Sequence, residues 1–421
     1  MKRILLVTSL CLLASFSFAQ KKAVKDAKSA MKNNVSEARE LIKPALTDPE
    51  TSNDPETWKI AGDIEYKAFD DERTLEMQKE ITGKGGNEES MYIGLYNMYD
   101  PYIKADELGQ VKNKFRKDIV KNMRDGHRFY INGGVFYNDK KDFKKAADFF
   151  ERYWELPTLA MFADSQADFN LQDTTYQTIK YYAVISSIQS QDHPRSIKLL
   201  KKLIAEPYVQ NSTYKESDVY ELLTSEYQQI EDSVAYVNAL LEGAQKFPKN
   251  KYFTPNLINE YIRGGKTKEA IAYLDQAIIN DPSNTCDLMS VKASLYSEQK
   301  DYAQAEPAYQ TALNADANCE RALEGLGVLY VLQAQDMKEK AGQTTNRKEQ
   351  AEMDKQTTEL YTKALPYLEK YRDILKNKNA DSSDLRPALM KLQNVYYNLS
   401  LLNVDKSKEL DAIDKELSEL N

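Results

Sequence analysis

Two consecutive stretches of this chain share one length and one order of side chains, and that period constrains the fold more than any other feature. Lys251 to Asn284 is 34 residues long. It carries Leu257, Ile258 and Tyr261, then Gly264-Gly265-Lys266, then Ala270, Leu274 and Ala277, and closes on Asp281-Pro282. Cys286 to Cys319 repeats the length and the order, with Ala293 and Tyr296, then Lys300-Asp301-Tyr302, then Ala305, Tyr309 and Ala312. A period of this size marks stacked helix pairs, each too small to bury its apolar face alone. Alanine at a crossing point lets two antiparallel helices approach closely, and the residues four and seven positions later fill the next groove. The terminal proline stops the second helix. With only 15 Gly and 13 Pro in 421 residues, long helices are favoured over a turn-rich β architecture.

At these residues the chain resembles the tetratricopeptide repeat family. The resemblance implies an all-α fold, a right-handed superhelical solenoid of antiparallel helix pairs. Weaker units extend the pattern. His127 to Pro157 has Gly133-Gly134 and Tyr137, Lys141-Asp142-Phe143, then Ala146, Phe150 and Tyr153. Thr175 to Pro207 has Ala183, Ser196, Leu200 and Leu203, and Ser217 to Pro248 has Leu223, Tyr227, Val237, Leu241 and Ala244. Glu320 opens a unit with Leu326-Gly327 and Tyr330, whose second helix resumes only at Ala364, Leu368 and Tyr371. Glu37 to Pro49 reads as a second helix, Trp58 to Tyr66 as a first helix, and Leu385 to Leu420 as a capping pair. Roughly eight units result. Two insertions break the period. After Tyr66, Asp70 to Ile81 reads as a helix, 83–87 as a loop and Ser90 to Lys104 as a further helix. Met337 to Thr358 reads as two helices lengthened beyond the stack around a turn at Gly342 to Asn346, either decorating the binding face or protruding into solvent. The domain expectation is degenerate repeats over 20–126, regular repeats over 127–319, and repeats with an extended hairpin and capping helices over 320–421.

The first 19 residues read as a cleaved secretory signal. Lys2 and Arg3 precede an apolar run from Ile4 to Phe16, and Ser17-Phe18-Ala19 is a small-x-small cleavage site before Gln20. The run is too short to span a bilayer, which needs ~20 residues. Cys11 raises a lipoprotein signal as the alternative, but Leu10 stands where a small residue belongs. The chain is therefore expected to be exported, soluble, and periplasmic or envelope-associated. Its formal charge of −8 becomes −10 once Lys2 and Arg3 are removed. Mildly acidic composition with interspersed signs argues against a nucleic-acid partner.

Few residues suggest chemistry. The two histidines, His127 and His193, stand in different repeats without ligand-spaced neighbours, whereas zinc sites use three or four such groups. Both read as surface residues, His127 at a helix start. No catalytic residue, cofactor site or metal site is assigned, and the chain reads as a non-enzyme. Tyr137, Tyr227, Tyr261, Tyr296 and Tyr330 fall at one repeat position and read as packing. Cys286 and Cys319 stand at corresponding ends of one repeat. Neighbouring helices lie ~8–10 Å apart, and a disulfide wants Cα atoms within ~7 Å. The pair is therefore either a disulfide whose loops lean together or two loosely buried thiols.

The family resemblance places a binding groove along the first helices. Its residues here are Arg128, Ile131 and Val135; Tyr252, Asn259, Ile262 and Arg263; Asp287, Ser290, Ser294 and Ser297; and Arg321, Glu324, Val328 and Val331. Asn259 fits one position of the family's carboxylate clamp, but Pro255 occupies the place of the matching lysine. The mixed groove suits a protein or peptide partner. The favoured reading is a protein-binding scaffold of the cell envelope. A glycan or cell-wall polymer binder is the alternative, for which only Tyr252 supplies an aromatic in the groove, and an enzyme with an unrecognised site comes third.

Overall fold

The structure, a computed structural model, describes residues 20–110 and 113–420. The signal segment, with Cys11, lies outside the described residues. Among those described, every regular element is helical. Residues 20–30 form α1. There follow α2 (Val35–Thr47), α3 (Pro55–Met77), α4 (Lys79–Thr82), α5 (Glu88–Gly109), α6 (Arg116–Asp139), α7 (Phe143–Glu155), α8 (Thr174–Gln189), α9 (His193–Ala205), α10 (Glu216–Gln229) and α11 (Ser233–Lys246). The remainder are α12 (Phe253–Arg263), α13 (Thr267–Asn280), α14 (Thr285–Glu298), α15 (Tyr302–Ala315), α16 (Glu320–Gln343), α17 (Arg347–Asn377), α18 (Ser382–Leu401) and α19 (Ser407–Glu419). The chain divides into two compact units, 1–236 and 237–421. In the first, α2 packs on α3, α3 on α5, α6 on α7 and α8 on α9. In the second, the pairs are α12 with α13, α14 with α15, α16 with α17 and α18 with α19.

One turn recurs between first and second helices. Lys141, Gln191, Glu231 and Lys300 have φ of 60°, 58°, 58° and 57°, and Gly265 has 68°. The residue after each is the N-cap position of the second helix, and its amide reaches back five residues. Asp142 N–H bonds to the Tyr137 carbonyl at 2.9 Å, Lys266 to Tyr261 at 2.8 Å and Asp301 to Tyr296 at 2.9 Å. This closure satisfies a carbonyl that the first helix leaves bare at its end. The same aspartates then cap the second helix: Asp142 accepts from the Lys145 amide at 3.2 Å and Asp301 from Gln304 at 3.3 Å.

The repeat alanines are where the helices cross. Ala146, Ala270, Ala305, Ala312 and Ala364 are completely buried. The core of unit 1 is aromatic, with Tyr102, Tyr130, Phe149, Trp154 and Phe162 within it. Lys180, deeply buried, pairs with Glu206 at 2.8 Å, and Glu206 also accepts from Trp154 Nε1 at 2.9 Å. Such a network is tolerable only because each member is satisfied.

Several expectations change. Residues 20–30, within the degenerate repeats expected over 20–126 but without a named helix there, are helical, with Ala27 buried in one cluster with Ala38, Ile42 and Ile60. Asp70 to Ile81 is not a separate helix. α3 runs unbroken to Met77 because no Gly or Pro interrupts it after Pro55 except Gly62, which the α3–α5 packing requires: a Cβ there would sit 2.4 Å from the Tyr102 ring. At Gly94 a Cβ would lie 2.7 Å from the Phe69 amide nitrogen and 2.9 Å from the Glu65 carbonyl oxygen, so the two helices meet backbone to backbone at that point. Residues 160–168 form a 3-10 stretch that buries Met161 and Phe162. The long pair α16 and α17 turns at 344–346.

Neither histidine is a simple surface residue. His127 lies in the middle of α6, stacked on Tyr153 at 4.1 Å with an interplanar angle of 3°, and its Nε2–H donates to the Tyr153 carbonyl at 2.9 Å. His193 opens α9, with Nδ1 3.1 Å from the buried Glu226 carboxylate. The repeat period placed apolar residues well but could not see that a ring can pack through its face.

Lys141 is exposed and in the left-handed region, where a side chain is disfavoured and glycine is not. Lys141→Gly should raise unfolding free energy in urea by about 0.5–1 kcal/mol and Lys141→Val should lower it by about 1 kcal/mol. The opposite order would mean the turn is not what fixes the pair. Burial pushes His127 down to about 4. The unfolded chain, with its imidazole near the usual 6.5, then binds a proton that the folded chain refuses. The stability tied to His127 is therefore intact above about pH 6.5 and is lost progressively as pH falls toward 4. His127→Phe should show a smaller drop in urea midpoint between about pH 7 and about pH 5 than the unsubstituted chain; equal drops would place the imidazole in solvent.

Candidate partner-binding face

In unit 2, five helices and the loop before α12 line a cavity of about 570 Å³, with Ala244 of α11 at its edge. Helix α12 contributes Pro255, Ile258 and Asn259, α13 Tyr273 and Asn280, α14 Asp287, Leu288 and Val291, and α16 Arg321. The loop before α12 adds Lys249 and Lys251. Ile258, Leu288 and Val291 make the floor apolar, and the rim is polar. Neither Lys249, Lys251 nor Arg321 has a carboxylate partner among the described residues. Asp287 has no cationic partner there either, while Asp281 accepts from Ser283 at 2.5 Å. Three uncommitted cations against two carboxylates leave the rim mildly attractive to acidic groups.

A second concavity, of about 430 Å³, is lined by Val328, Val331, Leu332 and Gln335 of α16 and by Pro387, Met390, Lys391 and Asn394 of α18. It is chiefly apolar. Leu332 and Met390 are 36% and 54% exposed, which is high for large apolar side chains lining one concavity. Glu324 and Lys391 pair at 3.0 Å and bridge α16 to α18 beside it.

The expected groove residues divide accordingly. Asn259, Asp287 and Arg321 meet in the first cavity, and Val328 and Val331 in the second. Ile262 and Arg263 are exposed, with Arg263 paired to Glu260 on its own helix at 2.9 Å. Tyr252 lies edge-on to Phe253 at 5.3 Å and stays out of the cavity, whose aromatic lining is Tyr273. Ser290 is a correction. It is 1% exposed, and its hydroxyl donates to the Cys286 carbonyl at 2.6 Å and lies 3.6 Å from Cys319 Sγ. The cavity face of α14 is 287, 288 and 291, rotated by about one residue, some 100°, from the expected one. Ser294 and Ser297 are half-buried. In unit 1, Arg128 and Val135 are exposed and Ile131 is half-buried against the core.

Lys249, Lys251 and Tyr273 were not foreseen. They come from a loop and a second helix, so a reading confined to first-helix positions passes over them. Of metal chemistry, no cluster of three or more His, Cys, Asp or Glu able to hold an ion occurs among the described residues. No helix there is long and apolar enough to cross a membrane.

Cys286, in the first turn of α14, and Cys319, just before α16, are joined in a disulfide with Cα atoms 5.9 Å apart. The 5.9 Å Cα separation at these helix starts is shorter than the ~8–10 Å usual between packed helix axes. Cys286 precedes Asp287 directly and Cys319 stands two residues before Arg321, both of which line the cavity.

Residues 291–344 match the tetratricopeptide repeat family model, covering part of α14, all of α15 and all of α16. Solved structures similar to this chain include a tetratricopeptide repeat protein from Bacteroides fragilis, 14% identical over 66% of this chain and 97% of that one, with a TM-score of 0.34. Others are the C-terminal part of a repeat protein from Cytophaga hutchinsonii (12% identical, 66% and 97% covered, TM-score 0.32) and a repeat protein from Parabacteroides merdae (13%, 58% and 98%, 0.29). Among curated proteins, none matches the sequence.

A bridge that closes a loop of this length is expected to stabilise the chain by about 3–4 kcal/mol in the chain-entropy model. The unreduced protein should be two hydrogens lighter than the reduced one by intact mass. The Cys286→Ser/Cys319→Ser variant should unfold at lower urea; an unchanged mass and midpoint would leave two thiols in place of the bond.

Proposed function

Starting from a chain that carries tetratricopeptide repeats, we propose that this protein is a non-catalytic scaffold of the bacterial cell envelope that holds a partner polypeptide along the first-helix face of unit 2. Export rests on the reading of residues 1–19. The observation that carries the binding face is the geometry of α16. Arg321, Glu324, Val328, Val331 and Gln335 recur every three or four residues, so they share one side of the helix. Arg321 stands in the polar cavity and Val328 to Gln335 in the apolar one. At 1.5 Å rise per residue the stripe is about 20 Å long, the span of roughly six residues of extended chain. A partner segment laid along it presents acidic or polar groups at the Arg321 end and apolar side chains at the Leu332 end. Recognition of this kind concentrates affinity in a few desolvated anchors.

The test is affinity capture with the chain from Gln20 onward, in an envelope extract from its own source. Arg321→Glu and Leu332→Asp serve as separate variants; both positions are on the surface, so the fold should be unaffected by circular dichroism. The expected result is one polypeptide retained near stoichiometry and lost with either variant. Retention of nothing, or retention indifferent to both variants, would remove this face from consideration.

A further inference from the structure

The disulfide of unit 2 presents its two halves unequally. Cys286 is half-buried in the first turn of α14, and its sequence neighbours Asn284, Asp287 and Leu288 line the polar cavity. Cys319 is only 1% exposed. A thiol arriving from solvent therefore attacks Cys286, and Cys319 becomes the leaving group. A disulfide that served the fold alone would gain from having both halves enclosed, since accessible bonds are the labile ones.

The surroundings of Cys319 suit that role. It is the N-cap residue of α16, a helix of 24 residues, and no side chain caps that end. The free amides and the dipole of the helix favour negative charge on a sulfur placed there. A leaving group that carries charge easily departs faster. Ser290 provides for the reduced state. Its hydroxyl donates to the Cys286 carbonyl at 2.6 Å, and its oxygen lies 3.6 Å from Cys319 Sγ. That oxygen can accept from the Cys319 S–H once the bond is open, so the buried thiol keeps a partner.

The core does not depend on the bond. Ala293 of α14 and Leu326 and Leu329 of α16 share one buried cluster with Ala305, Tyr309 and Ala312 of α15. This packing holds the helices together whether or not the sulfurs are joined. What the bond sets directly is the approach of the two helix starts, and with it the spacing of Asp287 and Arg321.

We propose that Cys286–Cys319 is a redox switch that sets the shape of the polar cavity and is opened by a dithiol reductant. One thiolate of the reductant attacks Cys286 Sγ. As that bond forms, the bond to Cys319 breaks and its electron pair leaves on Cys319 Sγ. The second thiolate of the reductant then attacks the first and releases Cys286. The reductant ends as a disulfide, and the cysteine pair has gained two electrons and two protons. The starts of α14 and α16 are then free to slide against one another, and Asp287 and Arg321 lose their common spacing. The effect on a partner rests on reading this cavity as part of the binding face; the opening itself does not.

The test uses the chain from Gln20 onward under native conditions. A brief pulse of reduced glutathione, quenched in acid, should leave the adduct on Cys286 and a free thiol at Cys319 by peptide mapping. After full reduction with dithiothreitol, amides 288–292 and 322–326 should exchange with deuterium about tenfold faster or more, while those of α15 and α17 keep their rates. The Cys286→Ser/Cys319→Ser variant should exchange as the reduced chain does, with or without dithiothreitol. An adduct on Cys319, a bond that yields only in denaturant, unchanged exchange at both helix starts, or protection lost throughout unit 2 would each overturn the proposal. As bait in the envelope extract, the oxidised chain should retain its partner and the reduced chain about tenfold less; equal retention would sink the switch. If neither form retains a polypeptide, the binding face proposed for unit 2 falls, and the adduct and exchange results still decide the switch.

Discussion

The turn with a residue in the left-handed region is the constraint from which the rest of the structure follows. It lets the chain reverse in three residues while the amide of the third closes on a carbonyl five residues back, as Asp301 does on Tyr296. A reversal that tight leaves no freedom in where the second helix lies: it runs back along the first, and the side chains that meet are fixed by register. Most of these positions carry Lys, Gln or Glu instead of glycine. The local cost is accepted because the aspartate that follows caps the next helix and because the pair, once closed, buries its alanines completely.

From the fixed register comes an unequal division of surface. Second helices give their small residues to the crossing, so Ala305, Tyr309 and Ala312 are interior. First helices also retain a partly exposed stripe, which on α16 borders α18 through the Glu324–Lys391 pair. On α16 this stripe changes character along its length, from Arg321 through Glu324 to Val328 and Leu332. A face of one chemistry would have suited a surface that only needs to be soluble. A change from cationic to apolar over about 20 Å suits an elongated ligand, since each end then rewards a different group and the direction of binding is set.

How much of this was legible depended on whether a residue obeys the repeat. Leu274, Ala277, Tyr309 and Ala312 sit at positions the period fixes, and the helices form where the period put them. Asn259, Asp287 and Arg321 were reachable because a first-helix stripe follows from 3.6-residue geometry. Ser290 was misplaced because its short hydroxyl bonds to the carbonyl one turn back and turns inward beside the disulfide, an option that periodicity does not weigh. Lys249 and Lys251 belong to a loop whose path depends on the neighbouring helices.

The disulfide binds these levels together. Cys286 and Cys319 are each one or two residues from a member of the polar cavity, Asp287 on α14 and Arg321 on α16. Without a bond, the separation of those two side chains would rest on packing between neighbouring first helices, which tolerates small sliding motions. With it, the helix ends are held 5.9 Å apart between Cα atoms, and Ser290 fills the space beneath with a satisfied hydroxyl. A binding site is only as selective as the spacing of its groups is rigid. Besides stabilising the chain, the bond therefore holds an acidic and a basic side chain from different repeats at one spacing.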